Sequence, residues 1–155
     1  MVRLSLRVNG EDLDVEAKET ALLLDVLREG LGLTGAKRGC ETSHCGCCSV
    51  LLDGMVVHSC VVLAARCVGK EITTVEGLSQ GGELSELQRF FLKYGALQCG
   101  YCTPGMLMAA TALLQRNPKP TLEEIKAGLD GNLCRCTGYT TIFEAITACS
   151  QAIGQ

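Results

Sequence analysis

Cysteine constrains this chain more than any other residue type, because 11 of the 155 residues are cysteines. Eight of them form two sets of four, one in each half of the chain. The first set follows the pattern C-x4-C-x2-C-x11-C, and the second joins a C-x2-C pair to a C-x-C pair. The first set is Cys40, Cys45, Cys48 and Cys60, and the second set is Cys99, Cys102, Cys134 and Cys136. Short spacings of this kind are typical of thiolates that bind a metal centre.

A secreted scaffold held by disulfides is the alternative for a chain so rich in cysteine. The cysteine count is odd, Cys47 and Cys48 are adjacent, and the chain is long enough to form a core without cross-links. Residues 1–20 alternate charged and apolar side chains and lack the unbroken apolar region of a signal peptide. The longest apolar-rich stretch, 106–114, is shorter than the roughly 18 residues of a membrane span. The sequence therefore predicts a cytoplasmic chain without a membrane span, whose thiols bind metal.

Composition argues against a nucleic-acid partner. Lys and Arg number 14 against 17 Asp and Glu, which gives a net charge of −3 instead of the basic face that phosphates attract. Aromatic residues make up only 4% and Trp is absent, so a platform for stacking bases is not expected either.

The N-terminal half has the pattern of a small sheet with one helix. Asn9-Gly10 and Asp53-Gly54 predict tight turns in two hairpins, over 4–15 and 49–60. Thr20 is the predicted cap of a helix that ends near Gly30. Residues 71–76 are expected to form a last short strand.

In the C-terminal half, apolar residues recur at the spacing of a helix. A linker is expected over 77–83, followed by helices at 84–94 and 105–116, the second capped by Thr103 ahead of Pro104. Capping boxes predict two more helices, from Thr121 with Glu124 and from Thr141 with Glu144. The sequence thus predicts an α+β chain in which residues 1–78 form a small α+β domain and residues 79–155 form a domain of four helices.

The spacing of the first set is that of plant-type [2Fe–2S] proteins. A loop that wraps around such a cluster turns its backbone N–H groups toward the sulfurs and offsets their negative charge. Gly35, Gly39 and Gly46 supply a permissive backbone for this loop. We therefore expect an iron–sulfur site here.

The second set lies just before two predicted helices, whose N-termini place partial positive charge beside the thiolates. That environment suits an anionic cluster. Four thiolates are also the ligands of a structural zinc site, so spacing alone leaves iron–sulfur and zinc both open.

Two longer motifs carry a family resemblance. The segments Gln98-Cys-Gly-Tyr-Cys-Thr-Pro-Gly-Met106 and Gly131-Asn-Leu-Cys-Arg-Cys-Thr-Gly-Tyr139 resemble the iron–sulfur part of the molybdenum hydroxylases, the xanthine oxidase family. The loop Gly39-Cys-Glu-Thr-Ser-His-Cys-Gly-Cys-Cys48 is similar to that family's other cluster loop. The resemblance implies a β-grasp ferredoxin domain of the plant type followed by a four-helix domain, each with one [2Fe–2S] cluster.

The same resemblance implies the partners. The chain is similar to the separate small subunit of three-subunit enzymes, which combine it with a large molybdopterin subunit and a medium FAD subunit, as a dimer of heterotrimers. Gln98 matches a glutamine that contacts the pterin, and Cys136 belongs to the cluster nearest to it. Substrate chemistry then takes place on the partner subunit.

The expected function is a relay of single electrons, since the sequence has no nucleotide-binding fingerprint and no obvious acid–base pair. Two alternatives remain open, a stand-alone two-cluster ferredoxin and an interaction module held together by zinc. Cys47 is interpreted as a neighbour of a ligand and not as a ligand itself, and Cys67 and Cys149 as core thiols. His44 and His58 are expected to be a loop residue and a strand residue.

Overall fold

The computed structural model describes residues 1–79 and 81–153. Gln80, in the predicted linker, and residues 154–155, at the end of the second predicted domain, lie outside the described residues. The strands are β1 (Val2–Val8), β2 (Glu11–Ala17), β3 (Ser49–Leu52), β4 (Met55–His58) and β5 (Glu71–Thr73). The helices are α1 (Leu23–Asp25), α2 (Glu86–Lys93), α3 (Thr103–Arg116), α4 (Leu122–Gly128) and α5 (Thr140–Ile153). The α+β class predicted from the sequence is confirmed.

The five strands form one mixed sheet in the order β2-β1-β5-β3-β4. β1 pairs antiparallel with β2 and parallel with β5, and β3 pairs antiparallel with both β4 and β5. Both predicted tight turns form, and Asn9, Gly10, Asp53 and Gly54 all have the positive φ that such turns require. Apolar residues of alternating positions, such as Leu4, Leu6 and Val8, face a core shared with α1.

The first helix differs from its prediction at its start. Thr20 lies in a turn, and the helix is capped instead at Leu22, whose side chain makes no capping bond. The Leu23 N–H donates to the carbonyl of Val62 at 2.7 Å, a long-range contact that sets where the helix begins. The helix then widens into a π-turn over Val26–Gly30 and ends at the predicted glycine.

Some strand limits also differ. The strand predicted over 71–76 stops at Thr73, and a 3₁₀ turn, Val75–Leu78, follows it. Cys60 was placed at the end of a strand, but it lies in a 3₁₀ turn, Ser59–Val61, just after β4.

The helix caps in the second half follow the prediction only in part. The capping box of Thr121 with Glu124 forms, but Thr103 and Thr141 are both helical residues and cap nothing. Cys102 occupies the cap position of α3, and the Thr103 hydroxyl is buried without a hydrogen-bond partner among the described residues. α2 begins later than predicted, after a capping box formed by Ser85 with Gln88.

The two halves pack against each other through α3 and β3. Leu51 of β3 joins Met108 and Ala112 of α3 in a small apolar cluster. Separate apolar cores lie on either side of this contact, one under the sheet and one among α2 to α5. Within the described residues, no helix combines the length and the apolar character needed to cross a membrane. The contact between α3 and β3 brings the two cysteine-bearing regions together.

Candidate metal centres

The long loop between α1 and β3 turns around the sulfur of Cys40. This sulfur accepts backbone N–H groups of Thr42 at 3.4 Å, His44 at 3.3 Å and Cys45 at 3.3 Å. Glu41 and Ser43 have φ values of 55° and 63°, which fold the loop back on itself. The three donors aimed at one sulfur match the arrangement expected of a cluster-binding loop.

These donors change the acidity of Cys40. Hydrogen bonds from the Thr42 hydroxyl, then from the Thr42 and Cys45 backbone, lower the pKa of this thiol to about 5. Cys40 is therefore a thiolate at neutral pH, which is the form that binds metal.

Cys48 and Cys60 face each other across the β3–β4 hairpin. Both are buried, and Ser59 ties them together by donating its N–H at 3.3 Å and its hydroxyl at 2.7 Å to the carbonyl of Cys48. Burial is the main cause that raises the pKa of the Cys48 thiol to about 11. Without a metal this thiol stays protonated, so metal binding has to displace its proton.

The glycines of the loop are needed mainly because other atoms lie close to them, and less because of their backbone freedom. Of the three predicted to be permissive, only Gly46 has a positive φ, at 69°. A Cβ on Gly39 would lie 2.7 Å from the Cys45 sulfur, and a Cβ on Gly35 would collide with Val75. A larger side chain at Gly39 would therefore fill space beside the Cys45 sulfur, whereas one at Gly35 would press on Val75 and Glu76.

The second set is built by two loops that precede helices. Cys99 and Cys102 lie ahead of α3, and Cys134 and Cys136 lie ahead of α5. The sulfurs of Cys99 and Cys136 are 3.6 Å apart, and both residues are exposed. The structure thus brings the C-x2-C pair and the C-x-C pair together, as their shared site requires.

Cys102 and Cys134 lie deeper than the other pair. Burial, followed by contact with Cys134, raises the pKa of Cys102 to about 12. Burial opposes ionisation of Cys134 as well, but the hydroxyl of Thr137 at 3.1 Å and its N–H at 3.4 Å leave the pKa of Cys134 lowered. Tyr139 accepts the Cys134 N–H at 2.9 Å and stacks on Phe143.

The two sets meet at a seam formed by their own loops. The Leu133 N–H donates to the carbonyl of Cys45 at 2.9 Å, which joins a residue next to Cys134 to a residue of the first set. Asn132 is buried, and its amide donates to the carbonyl of Gly46 at 2.9 Å and to Ser49 at 3.3 Å.

Neither Asn132 nor this seam was predicted. Asn132 lies in the motif Gly131–Tyr139, but nothing in that motif indicates that its side chain bonds residues of the other half. Gly105 of α3 completes the seam, because a Cβ at this position would collide with the Gly46 carbonyl.

The remaining predicted residues lie around these sites. Gln98 is exposed, and no hydrogen bond joins its side chain to the described part of the chain. His44 is a loop residue, as expected, whose ring lies 3.0 Å from the Thr42 hydroxyl. His58 does more than occupy a strand, because its ring bonds both the hydroxyl and the carbonyl of Ser43 and so holds the loop.

The donor sets fit binuclear iron–sulfur clusters. Among the described residues, no three His, Cys, Asp or Glu side chains lie close enough to hold a single metal ion. In the second set the thiols lie as pairs, Cys99 with Cys136 and Cys102 with Cys134. Zinc requires four donors around one point, whereas a [2Fe–2S] cluster spreads four thiolates over two irons.

Known proteins match this chain along its length. The 2Fe-2S iron-sulfur cluster binding domain family matches residues 6–78, and the [2Fe-2S] binding domain family matches residues 74–147. The chain is 52% identical over 155 residues to the nicotine 6-hydroxylase small subunit of Paenarthrobacter nicotinovorans, covering 99% of this chain and 92% of that protein. It is 47% identical over 145 residues to the nicotinate dehydrogenase small FeS subunit of Eubacterium barkeri, covering 94% and 92%.

Solved structures agree with these relatives. A chain of quinoline 2-oxidoreductase from Pseudomonas putida 86 superposes with a TM-score of 0.94 at 48% identity, over 97% of this chain and 94% of that one. Identity at this level, over nearly complete chains and with both cysteine regions inside the matches, means that the chain belongs to the small iron–sulfur subunits of the xanthine oxidase family of hydroxylases.

Proposed function

We propose that this chain is the electron-transfer subunit of a molybdenum-containing hydroxylase. The observation that carries the proposal is that two sets of four thiols, one in each half of the chain, meet at a single hydrogen-bonded seam. Metal sites that only stabilised the fold would not need to lie side by side.

Each set would hold one [2Fe–2S] cluster. Cys40, Cys45, Cys48 and Cys60 would hold the first, in a β-grasp ferredoxin domain over 1–78, and Cys99, Cys102, Cys134 and Cys136 would hold the second, in a four-helix domain over 79–155. A bound cluster supplies a site that accepts and releases one electron. The N–H groups around Cys40 offset the negative charge of reduction, and burial of Cys48 and Cys60 keeps water away.

The exposed edges of the two sets indicate where electrons enter and leave. Cys99 and Cys136 are exposed beside Gln98, and this edge would contact the pterin of a large molybdenum subunit through Gln98 and Cys136. Residues 41–44 are also exposed beside Cys40 and would face the FAD of a medium subunit. Between these edges the electron would cross the seam, where the Cys45 carbonyl and the Leu133 N–H are in contact.

The assembly that follows is a dimer of heterotrimers in the cytoplasm. In it, the substrate is oxidised on the large subunit, and this chain contributes no catalytic residue. The named relatives are themselves small subunits of hydroxylases and dehydrogenases, which supports this arrangement.

Anaerobic purification of the untagged chain, together with the protein chains that bind it, tests the proposal. We expect large and medium chains to co-purify, with iron and acid-labile sulfide equal to two [2Fe–2S] clusters for each small chain and two distinct EPR signals after reduction. A monomer with both signals would favour the stand-alone ferredoxin. A colourless preparation that contains zinc would overturn both.

A further inference from the structure

The ring of His58 lies between the loop of the first set and the seam. His58 is the last residue of β4, and its backbone is held by the pairing of β4 with β3. Its ring nitrogen Nδ1 lies 3.0 Å from the carbonyl oxygen of Ser43, in the middle of the loop. On the other side of the ring, a Cβ built on Gly131 would lie 3.5 Å from Nε2. The sheet therefore holds this side chain in place against the loop.

The contact with Ser43 decides which ring nitrogen carries the proton. A carbonyl oxygen can only accept a hydrogen bond, so Nδ1 carries the hydrogen and donates it. The Ser43 hydroxyl lies 2.8 Å from the same nitrogen and can share that hydrogen as a second acceptor. His58 is therefore a hydrogen-bond donor to the loop.

The carbonyl that accepts this bond belongs to a peptide group whose other end faces Cys40. The peptide bond between Ser43 and His44 is trans, so its C=O and N–H groups point in opposite directions. The N–H group is that of His44, which donates to the Cys40 sulfur at 3.3 Å. A hydrogen bond at the carbonyl fixes the orientation of this peptide group, and it also polarises the N–H and strengthens its donation.

The backbone of the loop does not favour this arrangement by itself. Ser43 has a φ of 63°, in the left-handed region that residues other than glycine rarely adopt, and residues 41–44 are exposed. Three backbone N–H groups face the Cys40 sulfur. Within residues 1–79 and 81–153, only the His44 N–H belongs to a peptide group whose carbonyl is also hydrogen-bonded. Of the three donors, this one depends on a side chain outside the loop.

We propose that His58 is a positioning residue of the electron relay, which holds the His44 N–H on the Cys40 sulfur and so raises the reduction potential of the first-set cluster. The inference rests on the function proposed above. Reduction adds negative charge to a cluster, and hydrogen bonds to its sulfurs stabilise that charge. The His58 ring transfers neither an electron nor a proton in this role.

Redox titration of the assembled enzyme, followed by the EPR signal of each cluster, tests this role. Leu and Asn are compared at this position because they are similar in size and shape, and only Asn keeps an N–H donor near the position of Nδ1. We expect His58→Leu to lower the midpoint potential of the first-set cluster and to shift that of the second-set cluster less. His58→Asn should stay near the wild-type value. Ser43→Ala is the matched control and should also stay near it, since it removes the hydroxyl that contacts the ring and keeps the carbonyl.

The inference is overturned if His58→Leu leaves the first-set potential unchanged, or if His58→Asn or Ser43→Ala shifts it as far as His58→Leu does. Should His58→Leu fail to assemble the first cluster, His58→Asn decides. His44 is then the only histidine of the chain. With ¹⁵N-labelled histidine, pulsed EPR of the reduced first-set cluster should detect a coupling to the His44 amide nitrogen. Absence of that coupling, or failure of His58→Asn to assemble the cluster, contradicts the role. A wild-type enzyme without two iron–sulfur signals would instead defeat the proposed function.

Discussion

The two thiol regions solve the same chemical problem in different ways. The first set is surrounded by its own chain, with a loop of positive φ values, three N–H groups on Cys40, and Cys48 and Cys60 in the interior. The second set is assembled from two distant loops and leaves Cys99 and Cys136 exposed. A site made mainly from one loop and the hairpin that follows it can enclose its thiols, whereas a site at the ends of two helices keeps an open edge that a partner subunit can cover.

Loss of one ligand tests whether the regions are separate, and it has the largest expected effect. Cys102→Ser should abolish the EPR signal of the second-set cluster and leave that of the first set, because each set draws its ligands from its own half. Cys149→Ala, which removes a buried thiol from the same half, should keep both signals. Survival of both signals in Cys102→Ser would show that the division of ligands is wrong.

A substitution at the seam should disturb both regions together. In Gly105→Ala the new Cβ collides with the Gly46 carbonyl, and backbone cannot move aside as a flexible side chain can. Overpacking of this kind costs about 1–3 kcal/mol or more of unfolding free energy. Gly131→Ala is the control, since its Cβ would make an ordinary 3.5 Å contact with His58. Thermal unfolding of the two variants should therefore differ clearly.

The buried amide of Asn132 supplies a smaller part of the same seam. Asn132→Ala removes two hydrogen bonds but leaves the Gly46 carbonyl bonded to Ser49, so we expect a loss of about 1–2 kcal/mol in unfolding free energy. Asn132→Asp should cost more, because an oxygen would then face the Gly46 carbonyl. Denaturant titration measures both, and equal stability of the two variants would argue against the donor role of the amide.

The ion pairs of the first loop should contribute least to the free energy of unfolding. Arg38 bonds Asp25 at 2.7 Å and Glu41 at 2.6 Å, and the three side chains are 40–51% exposed. Arg38→Gln should therefore cost no more than about 1 kcal/mol, with the difference from wild type shrinking further in high salt. A larger, salt-independent loss would mean that the loop depends on this ion pair and not on its backbone hydrogen bonds.

Local signals in the sequence predicted the structure well where near neighbours decide the conformation. The Asn9-Gly10 and Asp53-Gly54 turns form, and so does the capping box of Thr121 with Glu124. The caps assigned to Thr20, Thr103 and Thr141 were wrong. For Thr20 the reason is visible, because the N–H of Leu23 bonds the carbonyl of Val62, a residue far away in the chain.

Cysteine spacing alone predicted two groups of four thiols in an α+β chain, because cysteines that share a short motif are close together in sequence. That the groups share one seam, that Asn132 spans it, and that Cys47 is buried beside it came from the packing of α3 on β3. Such contacts join residues from opposite halves of the chain. No local pattern encodes them, since they depend on how two separately formed surfaces fit together.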